Sequence, residues 1–503
     1  MSSLKEVSGS TLRPSRWRRA IRRSCRRRLT IQFLVLATAI IVTGSPSRTE
    51  ADNLVPASVQ KLIDAYKIPA SAISLIAQEI GADRPLVRLN ENLARNPAST
   101  IKLVTTFTAL EVLGPTYTWP TEIYALGPIK HGVLEGDLLI KGHGDPNLVT
   151  DEFWKMLGEL YSRGVKKITG DLVVDDSFFD VPASDPGAFD ARPDRLYNVI
   201  PNATMVNFKA VEFQFYPARD GKHVDIRVHP EMSNLRVTNN LSISKRKCDG
   251  YERGIDMRIF DPATNDHVVF AGAFPSGCRS HSMRRSVLNH DTYAYGTFKR
   301  LWKHWGGSID GTVRKGVAPK QRAFVTKQSQ PLAEIIRGVN KWSNNVMTRQ
   351  LLYSLATAKF KPPYTKEQGI EVVRDYFHEN KIDDSSLIID NGAGLSRDAR
   401  VSVGFMNQLL RHAYRSPYMP EFVSSLSLLG LDGTTSRRFK DRPEVGRMHL
   451  KTGSIDGVSA ITGYVNARSG KIYTVALIVN YKTAHQGPGK AIQDAFLDWI
   501  YDQ

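Results

Sequence analysis

A serine and a lysine three residues apart open an apolar stretch that reads NPASTIKLVTTFTALEVLG. A serine hydroxyl becomes a nucleophile only when a neighbouring group takes its proton. On a helix Ser99 and Lys102 share one face, so the amine can reach the hydroxyl. Burial or a second cation lowers the pKa of a lysine and makes it a base. The pair predicts an activated serine, and the alternative interpretation is an ordinary capped helix start.

Ser-x-x-Lys is a common spacing, and this chain repeats it, for example at Ser58 and Lys61. Support for Ser99 must therefore come from elsewhere in the chain. A second short motif, WSNNVM, places Ser343 and Asn345 between two segments with helical periodicity. A hydroxyl at such a position can relay a proton, and an amide can bind a peptide carbonyl. The alternative interpretation is that Ser343 caps the helix that follows.

A third motif, HLKTGSIDG, lies near the carboxyl end in a segment that we predict to be a strand. It contains Lys451, Thr452, Gly453 and Ser454. A lysine on a strand beside a cleft can hold a carboxylate, and a glycine lets a ligand approach the strand backbone closely. The alternative interpretation is an edge-strand lysine followed by a turn glycine.

The elements around these motifs indicate an α/β protein. A helix over 57–66, strands over 71–80 and 85–92, and a long helix after Ser99 come first. Short alternating strand-like segments then fill the chain from about 119 to 278. Helical periodicity returns from about 292, before strand segments over 448–465 and 471–480 and a closing helix. We therefore predict a discontinuous catalytic domain over 51–120 and 286–503, with a β-rich insertion over 121–285.

The first 50 residues have the composition of an export signal. Ten lysine and arginine residues face one glutamate before Leu29, which gives +9 of the net charge of +18. The apolar run 31–42 that follows is too short for a standard membrane-spanning helix. We predict a signal peptide over 1–50 and a periplasmic protein, and the alternative is an uncleaved amino-terminal anchor. Because half of the net charge lies in this leader, the rest of the chain is only mildly basic, which suits an anionic wall or membrane surface as well as nucleic acid, and we predict no nucleic-acid partner.

The cysteines suit an exported protein. Cys25 lies in the leader, and Cys248 and Cys278 remain as an even pair. We predict a disulfide between them, and the alternative is two unpaired buried thiols. The sequence has no Cys-x-x-Cys pair and no histidine cluster at ligand spacing, so we expect no metal and no cofactor.

Together, in this order, the three motifs are those of penicillin-binding proteins and class A β-lactamases. The chain resembles, more narrowly, the class C low-molecular-mass penicillin-binding proteins of the D-alanyl-D-alanine carboxypeptidase/endopeptidase type. The strings GHGDPNL, DNGAGLSR and LGLDGTTSRRF are also similar to strings of that family. The middle motif departs from it, with Ser-Asn-Asn in place of the commoner Ser-Asp-Asn. The resemblance implies a transpeptidase/β-lactamase-like domain, a central antiparallel sheet flanked by helices, with one or two β-rich domains inserted after the Ser99 helix.

The resemblance also implies roles for the motif residues. Ser99 attacks the carbonyl between two D-alanines and forms an acyl-enzyme, while Lys102 takes its proton. Ser343, helped by Lys451, passes a proton to the leaving amine, and Asn345 holds the substrate amide.

Further roles concern the ends of the substrate. Lys451 and Thr452 hold the terminal carboxylate, and the backbone N–H groups of Ser99 and Ser454 form the oxyanion hole. An acid of the insertion, Asp176 or its neighbour Asp175, binds the free amino end of the diaminopimelate side chain, with Arg397 on the same side.

The expected partners are peptidoglycan stem peptides as substrates and β-lactams as inhibitors, with a loose association with the membrane surface. Two alternatives share the motifs. A β-lactamase would need fast deacylation, commonly through a glutamate-activated water, and the chain has no clear Glu-x-x-Leu-Asn string between Ser343 and Lys451. A catalytically inactive wall-binding protein of the same fold is the other alternative.

Overall fold

The computed structural model describes residues 55–248, 250, 254–260, 264 and 266–503. The predicted signal peptide or anchor over residues 1–50 lies outside these residues. Within the described part of the chain, no helix is both long enough and apolar enough to cross a bilayer.

The α-helices of the described chain, in order, are α1 (Ala57–Ala65), α2 (Lys102–Leu113), α3 (Thr150–Ser162), α4 (His290–His304), α5 (Leu332–Trp342), α6 (Asn345–Leu355), α7 (Lys366–Glu379), α8 (Val403–Arg415), α9 (Met419–Ser425) and α10 (Pro488–Tyr501).

The strands of the same residues are β1 (Ile73–Glu79), β2 (Val87–Leu89), β3 (Pro120–Leu126), β4 (Ile129–Lys130), β5 (Val133–Leu134), β6 (Asp137–Gly142), β7 (Lys167–Ile168), β8 (Leu172–Asp175), β9 (Ala210–Pro217), β10 (Val224–His229), β11 (Arg236–Ser244), β12 (Ile255–Phe260), β13 (His267–Pro275), β14 (His281–Ser286), β15 (Ser308–Ile309), β16 (Val313–Lys315), β17 (Val325–Gln328), β18 (Ser427–Leu428), β19 (Met448–Ile455), β20 (Val458–Asn466) and β21 (Ile472–Asn480).

One antiparallel sheet joins the two ends of the described chain. Its strand order is β18-β19-β20-β21-β1-β2, so β1 near the amino end pairs with β21 near the carboxyl end. Successive side chains of a strand point to opposite faces. Ile76 and Ile478 accordingly pack on one face with α2, and Leu75 and Leu477 pack on the other with α1 and α10. The predicted fold class, a central antiparallel sheet flanked by helices, is confirmed.

Helix α2 runs through the centre of the hydrophobic core that covers the Ile76 face of this sheet. Every residue from Lys102 to Leu110 is buried, which suits a helix whose sequence is apolar or small on all sides. Helices α5, α6, α7 and α8 pack around it and close this core. The turn that carries Ser99 therefore leads into a helix that is packed on all sides.

Between α2 and α5 the chain forms several smaller sheets, as the short alternating strand-like segments of the sequence predicted. Their strand orders are β16-β8-β6-β3-β17, β15-β7-β5-β4, β10-β9-β14 and β11-β13-β12. These sheets share a second core with α3 and α4. The domain division stays a prediction. Strands β16 and β17 pair with β8 and β3, so the β-rich group of elements extends to Gln328. That point lies past the boundary expected at 285.

In two places the structure differs from a local prediction made from the sequence. The segment 448–465, predicted as one strand segment, is a hairpin of β19 and β20, because Gly457 at φ +80° allows a tight turn. Helix α3 lies in a region where the sequence indicated almost only strands. Cys248 and Cys278 form the predicted disulfide, across a sequence separation of 30 residues.

Candidate active site

Ser99 stands on a constrained turn at the start of the buried helix. The turn is a 3₁₀ segment, Ala98–Ile101, that leads directly into α2. Asn96 fixes it, because its side-chain oxygen accepts from the Ala98 N–H at 2.9 Å and its amide donates to the Ser396 carbonyl at 2.8 Å. Ala98 itself has a φ of +44°, which non-glycine residues rarely adopt. The turn therefore holds Ser99 in one place.

Two glycines let other segments approach this turn closely. A Cβ atom built on Gly453 would come within 2.6 Å of the Pro97 carbonyl oxygen and 3.0 Å of the Ser99 amide nitrogen. A Cβ atom on Gly394, at φ +78°, would come within 2.0 Å of the Ala98 carbonyl oxygen. Both positions require glycine, so β19 and the 390–397 loop pack directly against the serine turn.

Lys102 is fully buried and reaches three oxygens. Its Nζ lies 3.0 Å from Ser99 Oγ and 2.6 Å from Asn345 Oδ1, and it donates to the carbonyl of Ala393. None of these partners is a carboxylate. Burial, and then the positive charges of Lys451 and Arg349, hold the pKa of Lys102 well below its ordinary value. The lysine is therefore suited to act as a neutral amine, which is what a base at this position must be.

Ser343 and Lys451 form a second pair in the same site. Ser343 ends α5 in the left-handed conformation, with φ +56°, and Lys451 Nζ donates to its Oγ at 2.8 Å. The same amine donates to the Thr452 carbonyl at 2.7 Å. Burial lowers the pKa of Lys451 to about 7. The cap of the following helix is Asn344, not Ser343, so the Ser343 hydroxyl is not used as the cap.

The edge of β19 beyond Leu450 borders the cleft. Strand β18 pairs only with His449 and Leu450, so among the described strands the outer edge from Lys451 onward has no partner. Thr452 donates its hydroxyl to Thr434 Oγ1 at 2.8 Å, and Ser454 lines the cleft. A substrate backbone can therefore add to this edge as a further strand.

The cleft has a volume of about 730 Å³ and lies between the catalytic motifs and a loop of the inserted region. Ser99, Ser343 and Asn345 line one side of it. The inserted region supplies the facing wall, which consists of Phe189, Asp190, Arg192, Leu196, Tyr197 and Phe208. Ser99, Lys102, Ser343, Asn345, Lys451, Thr452 and Ser454, the motif residues predicted from the sequence, thus meet in one place.

The structure does not bring Asp176 to this cleft. Its carboxylate pairs with Lys315 at 2.8 Å and accepts from the Asn202 amide at 2.7 Å. Burial raises the pKa of Asp176, but these two partners outweigh it and leave the pKa below its ordinary value. The side chain lines a separate cavity of about 410 Å³. Asp175 is buried and accepts from the Ala318 N–H at 2.7 Å, so it too is occupied elsewhere.

Asp190 is the acid of the insertion that faces the cleft, and no motif in the sequence pointed to it. It accepts from the Tyr197 hydroxyl at 2.7 Å and from the Asn198 amide at 2.8 Å. Burial raises the pKa of Asp190, but these hydrogen bonds outweigh it and keep the carboxyl ionised. Arg397, which was predicted, does line the cleft; its guanidinium lies 4.7 Å from the centre of the Phe189 ring and donates to the Asp456 carbonyl.

A comparison with protein families agrees with this geometry. The profile of the family described as "D-Ala-D-Ala carboxypeptidase 3 (S13) family" matches residues 55–502. The chain belongs to the S13 family. The match covers all three motifs and the inserted region between them.

Curated members of this class are similar along most of the chain. A D-alanyl-D-alanine carboxypeptidase of Actinomadura sp. is 26% identical over 98% of this chain and 93% of its own length. The D-alanyl-D-alanine carboxypeptidase DacB of Haemophilus influenzae is 27% identical over 83% of this chain and 87% of its own length.

Solved structures show the same fold. Penicillin binding protein 4 of Haemophilus influenzae superimposes with a TM-score of 0.74 at 23% identity, over 90% of this chain and all of that one. A predatory endopeptidase of Bdellovibrio bacteriovorus gives a TM-score of 0.51 at 14% identity, over 85% of this chain and 92% of that one.

Proposed function

We propose that this S13 protein is a serine D-alanyl-D-alanine carboxypeptidase that trims peptidoglycan stem peptides through an acyl-enzyme on Ser99. Its family and its curated relatives support this class of enzyme. The observation that carries the mechanism is the 3.0 Å contact between Lys102 Nζ and Ser99 Oγ in the cleft. An amine at this distance from a hydroxyl can take its proton.

The partners of Lys102 indicate the direction of that proton transfer. A neutral amine has two N–H bonds and one lone pair. The Asn345 side-chain oxygen and the Ala393 carbonyl are acceptors only, so they take the two N–H bonds. The lone pair is then left for the Ser99 hydroxyl. As Ser99 Oγ bonds to the substrate carbonyl carbon, its proton passes to Lys102.

The second pair completes acylation. The tetrahedral intermediate collapses when the C–N bond breaks, and the leaving amine of the terminal D-alanine must gain a proton. Ser343 Oγ can donate it and be re-protonated by Lys451, which is 2.8 Å away. With a pKa of about 7, Lys451 exchanges protons readily near neutral pH. The proton that Lys102 took from Ser99 then replaces the one that Ser343 and Lys451 gave to the leaving amine, so Lys102 is neutral again. Water attacks the Ser99 ester while Lys102 takes one of its protons, and Lys102 returns that proton to Ser99 Oγ as the ester bond breaks. The shortened peptide leaves as an acid.

In this proposal, the substrate binds along the unpaired edge of β19. We assign the carboxylate of the terminal D-alanine to the Thr452 hydroxyl and the Lys451 amine, which belong to β19 next to Ser343. The backbone N–H groups of Ser99 and Ser454 stabilise the oxyanion, and the loss of one such donor typically costs about 10²–10³-fold in rate. A β-lactam carries an equivalent carboxylate and acyl bond, so it acylates Ser99 in place of the peptide.

The diaminopimelate side chain of the stem peptide has an ammonium and a carboxylate at its far end. Asp190 and Arg397 lie on the cleft wall with charges that complement these two groups. We therefore assign the side-chain subsite to Asp190 and Arg397, with Asp190 in place of Asp176.

Endopeptidase activity uses the same chemistry, because only the leaving amine differs. The cleft has a volume of about 730 Å³, which supports binding of a leaving group larger than a single D-alanine. We propose that cross-linked dimers are a second substrate class. For the cell, we propose export by the amino-terminal leader to the periplasm and a loose association with the membrane surface.

Mass spectrometry of muropeptides after incubation with the purified protein tests this function. Loss of one alanine from pentapeptides indicates carboxypeptidase activity, and conversion of dimers to monomers indicates endopeptidase activity. Neither product should form with Ser99→Ala. Rapid turnover of penicillin without peptide cleavage would support a β-lactamase instead, and wall binding unchanged by Ser99→Ala without any product would support an inactive binder.

A further inference from the structure

A third cation belongs to the surroundings of Lys102, and the mechanism above does not use it. Arg349 lies on α6, one helical turn after Asn345, so the two side chains leave the same face of the helix. Asn345 is the residue whose side-chain oxygen lies 2.6 Å from Lys102 Nζ. The helix that contributes Asn345 to the site therefore also places a guanidinium beside it.

Among the residues that the structure describes, no acidic side chain pairs directly with Arg349. One guanidinium nitrogen donates to the Val199 carbonyl at 3.1 Å, and Nε is buried with no hydrogen-bond partner among the described residues. The groups that act on it at longer range are the Asp390 carboxylate, which also lies 3.7 Å from Lys366 Nζ, and the Tyr353 phenol. Glu367 lines the same cavity as Arg349 without pairing with it directly. The side chain is half-buried, and its Nε is fully buried without a partner. Buried polar groups are normally paired, so this one, on the helix that carries Asn345, calls for an explanation.

Arg349 and Lys102 flank the same short piece of chain. Arg349 lines a cavity of about 190 Å³ together with Asn391. Two residues further on, the carbonyl of Ala393 accepts a hydrogen bond from Lys102. The guanidinium and the amine thus both lie near the 391–393 segment.

We propose that Arg349 is a positioning residue that keeps Lys102 an uncharged amine by holding a positive charge without a direct acidic partner near it. The inference rests on the proposed role of Lys102 as the base. The charged groups that act on Lys102 are Lys451 from β19 and Arg349 from α6. Its other contacts are uncharged, namely Ser99, Asn345 and the Ala393 carbonyl.

Lys451 alone cannot supply this effect over the whole working range of pH. Because its pKa is about 7, its charge is largely lost above neutral pH. A guanidinium stays protonated far above that range, even when burial lowers its pKa. Arg349 therefore provides a positive charge that does not change with pH over this range.

The test is the pH profile of Ser99 acylation by a fluorescent penicillin, measured for the full chain as a second-order rate constant. In Arg349→Gln the rising limb should move to higher pH by about 0.5–1 unit, the size expected for one charge at this range in a partly polar interior. Arg349→Lys retains the charge and should stay close to the wild type. A folded Arg349→Gln protein with an unshifted profile overturns the proposal.

A surface variant keeps the proposal testable if Arg349→Gln does not fold. Ser184 is exposed and lines the same cavity as Arg349. Ser184→Asp places a negative charge near the guanidinium, so the profile should also move to higher pH, whereas Ser184→Asn should not move it. No shift in Ser184→Asp contradicts the proposal. Absence of acylation in the wild type at every pH would instead contradict the proposed function.

Discussion

Gly453 lies against the backbone of Ser99, at a distance that leaves no room for a methyl group: an added Cβ atom would meet the Ser99 amide nitrogen at 3.0 Å. The Lys-Thr-Gly strand and the Ser-x-x-Lys turn are therefore in direct contact. This contact fixes the spacing between the nucleophile and the strand that we propose holds the substrate. In the sequence, this close contact is indicated by the glycine of the Lys-Thr-Gly motif.

Gly453→Ala tests that contact. The methyl group has to displace backbone atoms of Pro97 or Ser99, because neither neighbour is the flexible end of a side chain. We expect the acylation rate constant to fall by about 10²-fold or more, since misplacement by an ångström costs that much at a reacting centre. Gly338→Ala on α5 is a matched control, because its methyl would meet only the mobile end of Met347 at 3.2 Å. Equal rates for the two variants would contradict the prediction.

Thr434→Val tests how the Thr452 hydroxyl is held. In the free protein the Thr452 hydroxyl donates to Thr434 Oγ1 at 2.8 Å. A carboxylate only accepts, so on binding Thr452 turns its proton to the substrate and accepts from the Thr434 hydroxyl, a donor that valine removes. We expect KM for a D-Ala-D-Ala peptide to rise about 5–10-fold, the value of one hydrogen bond. Thr434→Ser should restore the wild-type KM. A KM unchanged in Thr434→Val would show that Thr452 needs no such support.

Asp190→Asn and Asp176→Asn separate the two candidate acids of the insertion. Asp190 lines the cleft, and Asp176 is paired with Lys315 in another cavity. We expect Asp190→Asn to lower kcat/KM by about 10-fold for peptides with a free diaminopimelate amine, and to leave peptides with that amine acetylated unchanged. Asp176→Asn should leave both substrates unchanged. The opposite outcome would return the subsite to Asp176.

The pH dependence of stability tests the burial of Lys451. Its pKa of about 7 lies below the ordinary value of 10.5, so between these pH values the unfolded chain binds a proton that the folded chain does not. The free energy of unfolding should therefore rise with pH across this interval, at up to about 1.4 kcal/mol per pH unit from this group. Denaturant titrations of wild type and Lys451→Met should differ by this slope. Parallel curves for the two proteins would mean that Lys451 is protonated in the folded state.

The sequence predicted the motifs and the general fold because their signals are local. Ser99 and Lys102 are neighbours on one turn, and the strands β1 and β21 have clear apolar runs. The sequence alone could not predict which residues of different motifs are in contact. Lys102 contacts Asn345 across 243 residues, and Lys451 contacts Ser343 across 108, and the resemblance supplied those pairings.

The misses have physical causes of the same kind. Asp190 follows no motif, and it reaches the cleft only because the loop before Tyr197 folds over the site. Helix α3 carries its apolar residues on one face among charged neighbours, a weaker signal than the strands around it. Arg349 looks like an exposed helix residue in the sequence, and only the packing against Val199 reveals its buried nitrogen.

The most direct test of the account is the mass of the full chain after brief exposure to penicillin, followed by peptide mapping. The account predicts one covalent penicilloyl group, carried by the peptide that contains Ser99 and absent from Ser99→Ala. An adduct on any other residue, or none in the folded protein, would contradict the assignment of Ser99 as the nucleophile.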